Sequence, residues 1–450
     1  MLSYRTFTEC TDNGPYIAKL ILDMPQEVRA EQVGTDTFSV YVERIDNYTG
    51  EVFMTSRVWR GPKIYPSRGY RPVTAAYPCD EQGRRQHAST HVALEMPYGP
   101  IHPLGQAQAP LQNDNMNEFV ECRYRVTQVA EIPDEVPLAG LVFDERAGDL
   151  CPQLAGWAHG VSHYAPQPLR YGFFTPDLEA ARAFHRRYDG HYGDEWAHAF
   201  PEKLPLVIWL HGAGEGGSDP KVAYTGNKVS ALSTPEIQRR LGGAAYVLAP
   251  QAPTFWLDNG AKNPQAHENL TDCNSRYTEA LKACIDEFVK EHPDIDRDRI
   301  YLGGCSNGGF MTVKMILTYP DYFAAAFPVC EAYRNSGVSE RDIANLRHLP
   351  IWFVQAENDP LVPPESAPRP LYNRLRAAGN DNVHMTLFEK IEDQSGLFKD
   401  EQGRPWTYIP HFSWVHALND DVAFDLDGSR VMCDGRPVTL MRWLGRQRRA

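Results

Sequence analysis

The stretch YLGGCSNGGF, residues 301–310, contains one serine, and read as Gly304-Cys305-Ser306-Asn307-Gly308 it fits the pattern G-x-S-x-G. In that pattern a serine sits on a sharp turn between a strand and a helix, with its Oγ exposed above the sheet edge. The flanking glycines remove Cβ atoms that would crowd the turn. The helix behind it directs its positive N-terminus at the site. The chemistry such a serine performs is nucleophilic acyl transfer, which also requires a base, a carboxylate to orient the base, and donors for an oxyanion. The pattern alone is weak evidence, so those three parts must be sought elsewhere in the chain.

Donors are offered by IWLHGAGEGG, residues 208–217, where His211-Gly212-Ala213-Gly214 follows an apolar run. The backbone N–H groups of Ala213 and of Asn307, directly after the serine, are the expected oxyanion hole. A phosphate-binding loop fits less well because no G-K-[ST] ending is present. The expected chain order is serine, acid, histidine, so His211, which precedes the serine, is expected to shape its loop. The segment PIWFVQAENDPLVPP, residues 350–364, ends an apolar run at Ala356 and offers Asp359 in the loop proper, with Glu357 as the alternative. The segment YIPHFSWVHALND, residues 408–420, offers His411 and His416. His411 follows a proline-containing, non-helical entry, whereas His416 falls where a helix begins. The expected triad is therefore Ser306, Asp359 and His411. Trp256, Glu331 and Tyr333 follow apolar runs at strand ends, which makes them candidate pocket walls; ordinary loop packing is an equal reading. Cys305 is read as a buried spacer thiol.

These residues need a scaffold, and the 450-residue length is enough for two or three domains. The 45 basic and 58 acidic residues give a net charge of −13, which argues against a nucleic-acid groove or an anionic membrane surface as partner. The first residues have no cationic start leading into an apolar run, and no stretch is long and apolar enough to span a bilayer, so a cytoplasmic protein is expected. Nine cysteines, without C-x-x-C spacing, suit reduced thiols. No motif for a metal or a nucleotide appears, and no cofactor is expected.

Residues 1–132 read as β structure. YIAKLILDM, TFSVYVERI and EFVECRYRVTQV alternate as half-buried strands do, with turn-rich stretches between them. Residues 133–168 have weak periodicity and read as a connecting segment, or one that wraps around either half. From 169 to 450 the pattern is α/β. Apolar runs at 204–210, 244–250, 300–304, 324–330, 350–356 and 383–389 suit a mostly parallel sheet covered on both faces, and helical segments at 275–292 and 309–320 fall between them. The polar stretches 177–203 and 389–410 are insertion-like, and either is expected to shape a pocket or a lid.

Taken together, LPLVIWLHGAGEGGSD, AAYVLAPQAPTFW, GGCSNGGFMT, AENDPLVPP and HFSWVHALND resemble the esterase or predicted-peptidase branch of the α/β hydrolases, related to polyhydroxybutyrate depolymerases and prolyl oligopeptidases. TFSVYVERID and PVTAAYPCDEQG resemble the immunoglobulin-like domain that precedes the hydrolase in multidomain members. The resemblance implies an α/β-hydrolase fold preceded by a small all-β, immunoglobulin-like sandwich. It implies His411 as the base, since the family's histidine precedes a Ser-Trp pair, and it places the family's Asp-x-x-Val signature on Asp359 to Val362. It also implies a small-molecule or oligomeric ester as substrate. Short peptides, or a glycan or partner bound without catalysis, are the alternatives. The N-terminal domain is left with three roles: capping the site, binding polymer or mediating homo-oligomerisation.

Overall fold

The computed structural model describes residues 2–56, 64–111, 116–188, 201–260 and 273–449. The chain divides into two compact units, Met1–Ala155 and Gly156–Ala450.

In the first unit eight strands form one sheet. In chain order they are β1 (Leu2–Thr11), β2 (Gly14–Arg29), β3 (Phe38–Ile45), β4 (Arg68–Arg71), β5 (Ala75–Pro78), β6 (Ala88–Glu95), β7 (Glu121–Gln128) and β8 (Val142–Leu150). Their order across the sheet is β4-β3-β7-β8-β1-β2-β6-β5. Alternation decides which face is buried: in β7, Cys122, Tyr124 and Val126 point inward while Glu121, Arg123 and Arg125 stay exposed. Val40 and Val42 of β3 share one hydrophobic cluster with Leu20 and Leu22 of β2 and Leu94 of β6. The edge strand β4 is tied to β2 through Arg71, whose Nη1 donates to the Ile17 carbonyl at 2.9 Å and to the Tyr124 hydroxyl at 2.7 Å. The sheet thus closes over its own core as an immunoglobulin-like sandwich does.

The second unit is built on an eight-stranded sheet of β9 (Trp157–Val161), β10 (Arg170–Phe174), β11 (Leu204–Leu210), β12 (Tyr246–Gln251), β13 (Ile295–Cys305), β14 (Ala325–Val329), β15 (Ile351–Ala356) and β16 (Val383–Phe388). The order is β9-β10-β12-β11-β13-β14-β15-β16. From β12 to β16 every pairing is parallel, and an antiparallel β9–β10 hairpin extends the β12 edge. All seven residues of β11 are buried, as expected for a strand covered on both faces. Helices α1 (Leu178–Tyr188), α2 (Thr278–Glu291) and α3 (Asn307–Thr318) lie in the same unit. The apolar stripe of α2, Leu281, Cys284, Ile285 and Phe288, is buried in the main core cluster.

The segment 133–168 differs from its expected role as a connector. Its residues 142–150 form β8, which pairs with β1 and β7, and its residues 157–161 form the edge strand of the second sheet. The weak periodicity has a physical reason: β8 exposes Glu145 and Arg146 in succession, so its sequence lacks the alternation of a half-buried strand. Of the stretch 177–203, residues 178–188 form α1, and residues 189–200 lie outside the described residues. The stretch 389–410 is an irregular hairpin stitched by Glu392–Thr407 and Lys399–Pro405 bridges, with Ile391, Phe398 and Tyr408 buried beneath it.

Candidate active site

Ser306 stands between β13 and α3 at φ 55° and ψ −114°. Such a conformation costs a non-glycine residue of order 1–3 kcal/mol and persists where surrounding structure enforces it. Here the Ser306 N–H donates to the Val329 carbonyl at 2.9 Å and its own carbonyl accepts from the Phe310 N–H at 2.9 Å. The flanking glycines are required by close approach. A Cβ on Gly308 would lie 2.0 Å from the Leu210 carbonyl oxygen, and one on Gly304 would lie 2.5 Å from the same atom. This packing presses the turn against the end of β11, which carries the loop of the expected oxyanion hole.

That loop is held by His211 and Glu215. His211 is fully buried; its Nδ1 donates to the Gly212 carbonyl at 2.6 Å, and its Nε2 accepts the Ala252 N–H at 3.0 Å. Burial lowers its pKa to about 4, so the ring is neutral, as an accepting Nε2 demands. The Gly212 carbonyl and the Ala213 N–H belong to one peptide plane. Fixing the carbonyl therefore fixes the direction of the Ala213 N–H. The Glu215 side chain, buried and raised to about 7 by desolvation, accepts a hydrogen bond from the Gly212 backbone. Ala213 opens a short 3-10 turn and Asn307 opens α3. Their N–H groups are thus among the orphan donors of helix starts. The Asn307 side chain is engaged elsewhere, its Oδ1 accepting the Leu257 N–H at 2.9 Å.

Asp359 lies just past β15 and is 3% exposed; His411 is 5% exposed. The structure brings these two together, with His411 Nδ1 2.7 Å from Asp359 Oδ2. The other carboxylate oxygen, Oδ1, accepts the N–H groups of Leu361 at 2.9 Å and Val362 at 3.0 Å. Gln355, buried within β15, donates from Nε2 to Asp359 Oδ2 at 3.0 Å and to the Val362 carbonyl at 2.6 Å. Glu357 is exposed. His416 belongs to a separate pair: its Nδ1 lies 2.7 Å from Asp421 Oδ2, and its ring stacks on Phe388 at 3.9 Å.

The candidate pocket walls are all interior. Trp256 is fully buried against His211 and Tyr277, and Tyr333 stacks on Phe310 at 5.2 Å; both belong to the main core cluster. Glu331 is buried with Oε2 accepting the Tyr333 N–H at 2.6 Å, while Oε1 has no partner among the described residues. Cys305 is a buried thiol whose pKa is raised by desolvation. Two positioning side chains escaped the sequence reading. Gln355 was hidden inside an apolar run, and its signal is a lone amide four residues before the acid. Glu215 was hidden in a glycine-rich loop.

Burial raises the Glu331 carboxyl from 4.5 to about 8. The folded protein keeps a proton that the unfolded chain releases above its own lower pKa. Stability is accordingly full below pH 4.5 and is lost as pH rises through about 8. Glu331→Gln keeps the shape and removes the ionisation. It is expected to raise stability at pH 8.5 relative to its effect at pH 4.5 by several kcal/mol, about 5 at most. Urea unfolding at the two pH values checks this, and an equal effect at both would contradict it.

A nucleophile-type turn at the C-terminal edge of a mostly parallel sheet, with an acid–histidine pair past a later strand, defines the α/β-hydrolase class. Comparison with known families adds a match for each of the two units. Residues 3–136 match the esterase Ig-like N-terminal domain, and residues 200–395 match the phospholipase/carboxylesterase family. By these matches the chain carries an immunoglobulin-like N-terminal domain ahead of an α/β-hydrolase domain similar to the phospholipase/carboxylesterase family. It is 32% identical over 129 residues to poly(3-hydroxyalkanoate) depolymerase C of Paucimonas lemoignei, an alignment covering 29% of this chain and 28% of that enzyme. The chain thus matches under a third of that relative's length. The crystal structure of a thermostable esterase superposes with a TM-score of 0.70 at 22% identity, covering 99% of this chain and 100% of that one, a likeness of fold over both units. Among the described residues no helix is long and apolar enough to cross a membrane.

Proposed function

We propose that this protein is a serine carboxylesterase acting through Ser306, His411 and Asp359. The observation that carries the reading is the buried 2.7 Å hydrogen bond between His411 and Asp359, on the sheet edge that also holds Ser306 in its strained turn. With Nδ1–H committed to the carboxylate, His411 Nε2 is left as the basic nitrogen. It takes the Ser306 proton as Oγ attacks the ester carbonyl. The N–H groups of Ala213 and Asn307 stabilise the oxyanion, and His411 returns the proton to the departing alcohol. Water, activated by the same imidazole, then hydrolyses the acyl-enzyme. Each step uses groups of this chain. The similarity to a poly(3-hydroxyalkanoate) depolymerase supports an ester as substrate, monomeric or oligomeric.

The test is turnover of p-nitrophenyl esters from acetate to dodecanoate beside alanine and proline p-nitroanilides. Ester hydrolysis is expected, with a chain-length profile that sizes the acyl pocket. Anilide hydrolysis without ester hydrolysis would reassign the protein as a peptidase. Silence on both, with no labelling of Ser306 by a fluorophosphonate, would leave a binding protein on a hydrolase scaffold.

A further inference from the structure

Two thiols in the first unit lie within reach of each other. Cys10 is the penultimate residue of β1, and Cys151 directly follows β8. These strands are parallel neighbours, with Phe7 of β1 opposite Leu150 of β8. The Sγ atoms of Cys10 and Cys151 are 3.7 Å apart. The turn after β8 is fastened at this point by Gln153, whose Oε1 accepts the Cys10 N–H at 2.7 Å and whose Nε2 donates to the Cys10 carbonyl at 3.1 Å. The carboxamide takes the place of a paired strand residue and fixes the chain around Cys151 against Cys10. Cys10 is buried at 2% exposure, whereas Cys151 is only half-buried.

We propose that Cys10 and Cys151 are a disulfide-forming pair that cross-links the first and last strands of the immunoglobulin-like unit. The oxidant is a low-molecular-weight disulfide such as oxidised glutathione. The Cys151 thiolate, the accessible member, attacks one sulfur of that disulfide and releases one small thiol, leaving a mixed disulfide on Cys151. The Cys10 thiol then loses its proton and attacks the Cys151 sulfur. The protein S–S bond forms as the second small thiol departs. Two protein thiols are oxidised and one small disulfide is reduced to two thiols, so electrons and protons balance. Closing the gap to the roughly 2.05 Å of a disulfide calls for side-chain rotation between chain segments already held together. The loop so closed contains nearly the whole unit, the case in which a cross-link restricts an unfolded chain most.

The experiment equilibrates the whole protein with oxidised glutathione, alkylates remaining thiols under denaturing conditions and maps the peptides by mass spectrometry. A Cys10–Cys151 linked peptide, at least tenfold in excess over its alkylated halves and abolished by dithiothreitol, is expected. Cys10→Ser should instead trap a glutathione adduct on Cys151, and Cys151→Ser should leave Cys10 reduced. Quantitative alkylation of both cysteines in the wild type, or a stable glutathione adduct on wild-type Cys151, would overturn the proposal. If Cys10→Ser does not fold, the wild-type and Cys151→Ser maps decide alone. The readout is independent of esterase activity.

Discussion

Ser306→Ala is expected to lower kcat for p-nitrophenyl butyrate by on the order of 10^6-fold, the scale on which removal of a triad serine abolishes catalysis. The substitution removes only Oγ. Ser306 makes no side-chain capping hydrogen bond to α3, and the bonds that hold its turn, to Val329 and from Phe310, are made by its backbone. Alanine meets the same φ of 55° as serine, so the strain is unchanged. Circular dichroism and the unfolding midpoint should therefore match the wild type. Residual turnover of roughly 10^3-fold over water should persist, since oxyanion donors act without the nucleophile. A loss smaller than about tenfold would remove Ser306 from the mechanism and return the G-x-S-x-G pattern to a polar turn.

Much of this site is legible in the sequence because the residues that build a parallel α/β sheet write short apolar runs. The run 204–210 coincides with β11 and the run 350–356 overlaps β15 within one residue, so the sequence alone puts Ala213 and Asp359 past strand ends. Burial within loops is less legible. Trp256 and Tyr333 follow strands at positions that suit a pocket wall, yet both turn back into the core, where Phe310 and Tyr277 receive them. Strand position says where the chain exits, and side-chain direction depends on neighbours distant in sequence. The same limit hid β8, whose pairing with β1 shifts register twice, so its buried and exposed residues do not alternate. It also hid Gln355, whose amide looks like a defect in an apolar strand until Asp359 folds back beside it.

The hydrogen bonds around Asp359 make Asp359→Asn a sharper probe than removal of the side chain. In the wild type Oδ1 accepts from the Leu361 and Val362 N–H groups, while Oδ2 faces His411 Nδ1 and Gln355 Nε2. An asparagine must keep its single oxygen toward the two backbone donors, because the opposite orientation would leave both facing an NH2 group. Its nitrogen then replaces Oδ2. That nitrogen donates to His411 Nδ1, which forces the imidazole proton onto Nε2, the atom that must accept from Ser306. It also confronts Gln355 Nε2, donor against donor. The first effect puts the proton on the wrong nitrogen without changing the outline of the side chain, so kcat for p-nitrophenyl butyrate should fall about 10^4-fold with KM little changed. A loss within tenfold would mean that the 2.7 Å bond between Asp359 and His411 holds the loop without tuning the base. The 2.7 Å pair of His416 and Asp421 would then have to be tested in the same way, and its packing against Phe388 predicts that Asp421→Asn leaves kcat within about twofold of wild type.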